Sequence, residues 1–161
     1  MNNSVPPITP QKIKPAARHR SRRLLVQALY QWQLTRTPPQ ELLKQFHEEA
    51  GMKKVDVPYF DELLIAILNQ LEKLDILFKP YLDRDIKELD PISLSILRLS
   101  SYELSQRIDL PHIIVINEGI ELAKVFGATD SYKYINGVLD KLARKLCLIE
   151  FKIPSPLQGE G

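Results

Sequence analysis

The chain is short of several things, and each shortage excludes a class of function. One cysteine, Cys147, stands among 161 residues. No internal disulfide framework and no cysteine-based zinc site can be built from it, and a reducing compartment, the cytoplasm, is expected. No apolar run approaches the ~20 residues needed to span a bilayer, so no membrane association is expected. The six glycines form no phosphate-cradling loop: Gly119, Gly127 and Gly137 are isolated, with no Lys-Ser/Thr after a glycine run. The histidines, His19, His47 and His112, lack metal-ligand spacing, and His47-Glu48 is not followed by a second histidine. Asp83-Arg84-Asp85 offers two carboxylates, but residues two apart on a helix do not face each other, so solvated or capping roles are expected. Cys147, among leucines, reads as a buried structural thiol. No catalytic residue, metal or cofactor is expected.

Acid is missing altogether from the front of the chain, where Glu41 is the first acidic residue. Before it stand Lys12, Lys14, Arg18, Arg20, Arg22, Arg23 and Arg36, so residues 1–40 hold +7, while the remainder sets 15 cations against 20 acids and holds −5. A formal net charge of +2 hides this asymmetry. A basic front end joined to a mildly acidic body points to a polyanionic partner, with RNA the leading candidate. The first 15 residues contain four prolines and no apolar h-region, which argues against a secretory signal. An Arg-rich organelle leader is disfavoured because the Arg run continues directly into a core-type helical pattern.

Helical periodicity fills the chain between two tails, 1–13 and 150–161, that read as disordered. Leu24, Leu25, Ala28, Leu29 and Trp32 form one apolar stripe on a helix from about Ala17 to Thr35. A second helix spans about Gln40 to Ala50, with Gly51 as its C-cap. A third starts at Asp56 with Pro58 in its first turn and carries Phe60, Leu63, Leu64, Ile67, Leu71 and Leu74 as one stripe, limited by Pro80. A short turn, Tyr81 to Ile86, precedes a helix opened by Asp90-Pro91. The β-branched run Ile113–Ile116 is assigned to a helix because Ile113, Ile116, Ile120 and Ala123 keep helical spacing, with Gly127 as the stop. The last helix, about Asp130 to Cys147, aligns Ile135, Val138, Leu139, Leu142 and Leu146 despite the turn-forming pair Asn136-Gly137. The fold class is all-α.

The basic stretch Lys14 to Arg23 looks cationic all round when wound as a helix, because Arg18 and Arg22 share one side and Arg20 and Arg23 another. Such an arm cannot bury a face against its own domain, and is expected to order on RNA. Replacing Arg18 and Arg22 is then expected to weaken RNA binding without touching thermal stability. With about four phosphates engaged, the salt slope on a single strand is roughly −3. Base contacts would come from aromatics. Tyr30 lies seven residues after Arg23 on the same side, and Phe126, Tyr132 and Tyr134 cluster around Lys133. For each ring, core packing is the competing role.

Five blocks of residues resemble the bacterial NusB family of transcription antitermination factors. They are Lys14–Arg22, Val26–Gln33 (Val-Gln-Ala-Leu-Tyr-Gln-Trp-Gln), Ile96–Leu104, Ile116–Gly127 and Tyr134–Lys141. The resemblance implies about seven helices in two small packed bundles over residues 14–149. It implies single-stranded boxA RNA of nascent ribosomal transcripts as ligand and the small-subunit ribosomal protein NusE as partner. It also implies an RNA polymerase antitermination complex with other Nus factors. By the same resemblance Lys14, Arg18, His19, Arg20 and Arg22 form an RNA arm, and Tyr30, Phe126, Asp130, Lys133, Tyr134, Asn136 and Gly137 lie on or near an RNA face. His19 stands where Arg is common, Arg23 where an acid is frequent, and Gly119 where Ala is usual, at a helix cost of about 1 kcal/mol. Two alternatives remain. One is an RNA-binding module related to the amino-terminal part of rRNA cytosine methyltransferases, which would need a cofactor domain. The other is a protein-interaction scaffold, such as a homodimer.

Overall fold

The computed structural model describes residues 14–151, with side chains to Cys147. The expected disorder of 1–13 and 152–161 falls outside that range. Seven α-helices make up the described chain: α1 (Pro15–Thr35), α2 (Pro39–Glu49), α3 (Val57–Leu68), α4 (Leu71–Phe78), α5 (Pro91–Gln106), α6 (His112–Phe126) and α7 (Ser131–Phe151). Two single 3-10 turns, Lys79–Tyr81 and Ile86–Glu88, link α4 to α5. The all-α class is therefore what the chain adopts. Helices α1, α2 and α3 pack as one bundle and α4 to α7 as a second, with α5 touching α1, α3, α4, α6 and α7.

Helix α5 holds this central place because it is buried almost all round. Ser95, Ser100 and Ser101 are as fully enclosed as Ile96, Leu97 and Leu99, and small hydroxyl residues let neighbouring helices come close. The closeness is measurable at Gly119 on α6. A Cβ there would lie 2.9 Å from Leu139 Cδ1 and 3.0 Å from Ser100 Oγ, so glycine at this position suits a tight α5–α6–α7 junction.

Two helix starts, those of α3 and α5, follow the capping chemistry in the sequence. Asp56 Oδ1 accepts from the Tyr59 amide at 3.2 Å, and Asp90 Oδ1 from the Ser93 amide at 2.8 Å, each with a proline in the first turn. Ile113–Ile116 is helical, and Asn136-Gly137 lies inside α7. Gly127 ends α6, its amide donating to Ala123 O at 2.8 Å. Three details depart from the periodic reading. The long third helix is two: Gln70 leaves helical geometry at φ −131°, so α3 stops at Leu68 and α4 starts at Leu71. The residue that ends α2 is Ala50, in extended backbone, not Gly51. Helix α7 continues through Glu150 and Phe151, past the expected boundary.

Candidate nucleic-acid interface

Helix α1 carries the basic stretch from its first turn, and its two faces treat their cations differently. The inner face turns Arg18, Ser21, Arg22, Leu25 and Leu29 toward the body of the protein. Arg22 is 3% exposed. Its Nε donates to Glu103 Oε1 at 3.1 Å and Oε2 at 2.9 Å, its Nη2 lies 2.9 Å from Oε2, and its Nη1 donates to Glu118 Oε1 at 2.9 Å. The Tyr59 hydroxyl donates to the same Glu103 carboxylate, and His19 Nδ1 sits 3.0 Å from Glu118 Oε1. Arg18 lies over the Tyr59 ring at 4.0 Å, with its Nε 3.6 Å from Asp56 Oδ2. Four helices, α1, α3, α5 and α6, thus meet in one hydrogen-bonded ionic cluster.

Burial alone would lower the pKa of Arg22. Glu103, by its charge and its hydrogen bonds, outweighs that and holds the guanidinium above its ordinary value. Burial pushes the Tyr59 phenol up, and the neighbouring Glu103 charge pushes it further. Both groups therefore keep their protons throughout the physiological range.

This geometry corrects the picture of an arm that cannot bury a face. Pro15 to Arg23 is ordered helix packed against the domain, and Arg22 is a core residue already saturated by two carboxylates. Removing it would strand buried charge, so its replacement cannot leave stability untouched. Arg18 and His19 are part-buried and paired within the molecule, and only their outer edges reach solvent.

The outer face is the converse. Lys14, Arg20, Arg23 and Gln27 are exposed. Arg20 Nη1 donates to the Lys54 carbonyl at 3.4 Å, a neutral acceptor that leaves its charge uncompensated. At 100° per residue, Arg20, Arg23, Gln27 and Tyr30 fall on one stripe, with roughly 15 Å of rise from first to last. The stripe ends at an open groove of about 430 Å³, lined by Val26, Gln27, Tyr30, Gln31, Leu34, Phe46, Ile92 and Phe126. Tyr30 and Phe126, 96 positions apart in sequence, thus share one concavity, neither wholly in the core.

The remaining residues of the expected RNA face lie at and after the α6–α7 turn. Asp130, exposed and in left-handed backbone at φ 67°, has its Oδ1 3.6 Å from Lys133 Nζ. Asparagine and aspartate tolerate that conformation best among residues with a side chain. Tyr134 is turned away from open solvent: Arg84 lies over its ring at 4.6 Å, and its hydroxyl accepts from the Asp83 amide at 3.3 Å. Tyr132 has Lys124 Nζ 5.0 Å from its ring centre. Asn136 and Gly137 are exposed, and a Cβ on Gly137 would meet nothing within 4 Å. No internal packing accounts for a glycine there, although it costs about 1 kcal/mol in a helix interior.

Away from these faces, the acidic pair in Asp83-Arg84-Asp85 does local work. Asp83 pairs with Arg84 at 2.7 Å, and Asp85 Oδ1 caps the next turn by accepting from the Lys87 amide at 2.9 Å. Among the described residues no group of three His, Cys, Asp or Glu side chains is placed to hold a metal ion, and no helix is long and apolar enough to cross a membrane. Cys147 is half-buried, with its Sγ 3.3 Å from His112 Nδ1, a pairing that sequence spacing does not reveal.

Comparison with known proteins now decides the family. The sequence model of the NusB family matches residues 19–144. The chain belongs to the NusB family. It is 48% identical over 139 residues to the transcription antitermination protein NusB of Psychromonas ingrahamii, covering 86% of this chain and 96% of that one. It is 53% identical over 132 residues to the protein of the same name from Alcanivorax borkumensis, covering 82% and 88%. A solved structure of T. maritima NusB superposes with a TM-score of 0.70 at 30% identity, covering 79% of this chain and 90% of that one. Both curated relatives are named as transcription antitermination proteins. Within the NusB frame, the residues that sequence reasoning missed are the partners of the inner cations. Glu103 and Glu118 lie 81 and 96 positions from Arg22. The available signal was Glu103 itself, a lone acid among the small and apolar residues of Leu99–Leu104.

Proposed function

We propose that this NusB-family protein is a non-catalytic RNA-binding antitermination factor. It takes single-stranded boxA RNA of nascent ribosomal transcripts together with NusE, and acts within a complex on RNA polymerase with other Nus factors. One observation carries the RNA reading: a basic stripe of Arg20 and Arg23, which meet no carboxylate among the described residues, runs along α1 into a groove that holds Tyr30 and Phe126. Cations of this kind neutralise phosphates, and half-exposed rings stack on bases at roughly 1–3 kcal/mol each.

On this reading Lys14, Arg20 and Arg23 contact phosphate, while Tyr30 and Phe126 receive bases. Lys133, Asn136 and the side-chain-free surface at Gly137 extend the footprint onto α7. Arg22, and in large part Arg18 and His19, act by fixing α1 in place. Asp130 and Tyr134, tied to Lys133 and Arg84, sit at the margin.

Binding of a boxA oligonucleotide and a scrambled control, each with and without NusE, tests the proposal. Preference for boxA that strengthens with NusE is expected. Equal binding of both RNAs, or none, would overturn it.

A further inference from the structure

The turn between α2 and α3 is not idle connection. It is fastened to the start of α1 by three hydrogen bonds: the Asp56 amide to Ala17 O at 3.2 Å, Ser21 Oγ to Asp56 O at 2.8 Å, and Arg20 Nη1 to Lys54 O at 3.4 Å. It is also closed on itself, the Val55 amide donating to Met52 O at 3.2 Å. Within it Lys54 takes left-handed backbone at φ 73°. That conformation is unfavourable for a residue with a Cβ, by roughly 1 kcal/mol, and the fastening bonds offset it. The consequence is positional. Two lysines remote from the basic stretch in sequence are delivered to its flank.

Both ammonium groups remain available. Lys53 and Lys54 are exposed, and among the described residues the lysine ion pairs are those of Lys124 and Lys133. The one acid in the turn, Asp56, is engaged with Arg18 and with the Tyr59 amide. Among the described residues neither lysine side chain makes a hydrogen bond or an ion pair. Lys53, Lys54, Arg20 and Arg23, with Lys14 just before α1, therefore form one cationic surface drawn from two separate segments and uncompensated among the described residues.

We propose that the Lys53-Lys54 turn is a phosphate-binding extension of the RNA interface, so that a bound single strand runs from the Tyr30–Phe126 groove along α1 and onto the α2–α3 turn. This rests on the RNA-binding reading above. It adds that the footprint extends beyond α1 and that two phosphates of the strand are met by these lysines. Because the turn is pinned in the free protein, binding its lysines costs no backbone ordering, only side-chain ordering, unlike the lysines of a floppy basic tail.

The test is a salt titration of a boxA-containing oligonucleotide on the full chain, on Lys53→Gln/Lys54→Gln, and on Lys73→Gln/Lys79→Gln, whose lysines lie on or just after α4 in the other bundle. Each phosphate neutralised on a single strand contributes about −0.7 to the slope of log K against log salt. The Lys53/Lys54 variant should therefore be flatter by ~1.4 and bind about 25-fold more weakly at 0.1 M salt. Its melting temperature should match that of the parent, and the Lys73/Lys79 variant should keep the parent slope. A parent that binds the RNA and a Lys53/Lys54 variant with an unchanged slope would overturn this inference alone. A parent that binds no single strand would overturn the RNA reading and this extension with it.

Discussion

The inner and outer faces of α1 are built from the same residue type within one stretch of sequence, and they do opposite things. Arg18 and Arg22 point inward. They meet Asp56, Glu103, Glu118 and the Tyr59 ring, and their charge is consumed by the fold. Arg20 and Arg23 point outward and meet no carboxylate among the described residues. Helix phase alone separates them: a shift of one or two positions moves a guanidinium from a nearly dry ionic cluster to open solvent. A count of basic residues therefore overstates what α1 can offer a polyanion, and it understates what holds α1 in place.

The contrast is broken hardest at Arg22. Arg22→Ala leaves Glu103 buried and unpaired, so a destabilisation of ~3–5 kcal/mol is expected. At this chain length that corresponds to a fall of ~6–20 °C in melting temperature by calorimetry. A loss under 1 kcal/mol would mean that the inner cluster does not carry the fold.

On the outer side, Tyr30→Ala should weaken boxA binding by ~1–3 kcal/mol in a titration at fixed salt, while Tyr30→Phe keeps most of the affinity because the stacking face survives. Equal losses in the two variants would shift the role of Tyr30 from its ring to its hydroxyl.

The cluster also has a signature in alkali. A tyrosine whose pKa is raised in the folded state stabilises the protein below its unfolded value, and that stability drains away as pH climbs above it. Tyr59, raised first by burial and then by Glu103, should make urea-measured stability decline above about pH 10, by up to ~1.4 kcal/mol per pH unit. Tyr102 and Tyr134, raised mainly by burial, add in the same direction. Tyr59→Phe should flatten the decline, and an unaltered alkaline limb would contradict the assignment.

Smaller still is the effect expected at the α5–α6–α7 junction. In Gly119→Ala the gain in helix propensity of about 1 kcal/mol is opposed by the push on Leu139. A net change within ~1 kcal/mol in urea denaturation is expected.

These regions also mark how far the sequence could be read. Caps are local, so Asp56, Asp90 and Gly127 announced their helix ends correctly. The break at Gln70 was hidden because the apolar stripe of α3 carries on through Leu71 and Leu74. The outer cations and the groove aromatics were legible as residue types; the resemblance to NusB implied an RNA arm with Lys14 and Arg20 and an RNA face near Tyr30 and Phe126, but not Arg23. The inner ion pairs were not legible, because their acids come from α5 and α6, and spacing along α1 says nothing about what packs against it. The flank at Lys53-Lys54 was missed for a related reason: only the hydrogen bonds from Asp56, Ser21 and Arg20 bring that turn beside the basic stripe.

Free charge on α1 belongs to its outer face, and the salt dependence of boxA binding in Arg20→Ala/Arg23→Ala measures it. The expected result is a slope flatter than the parent's by ~1.4, with stability within about 1 kcal/mol of the parent, because the lost Arg20–Lys54 O bond is exposed and long at 3.4 Å. A parent-like slope in this variant would contradict it.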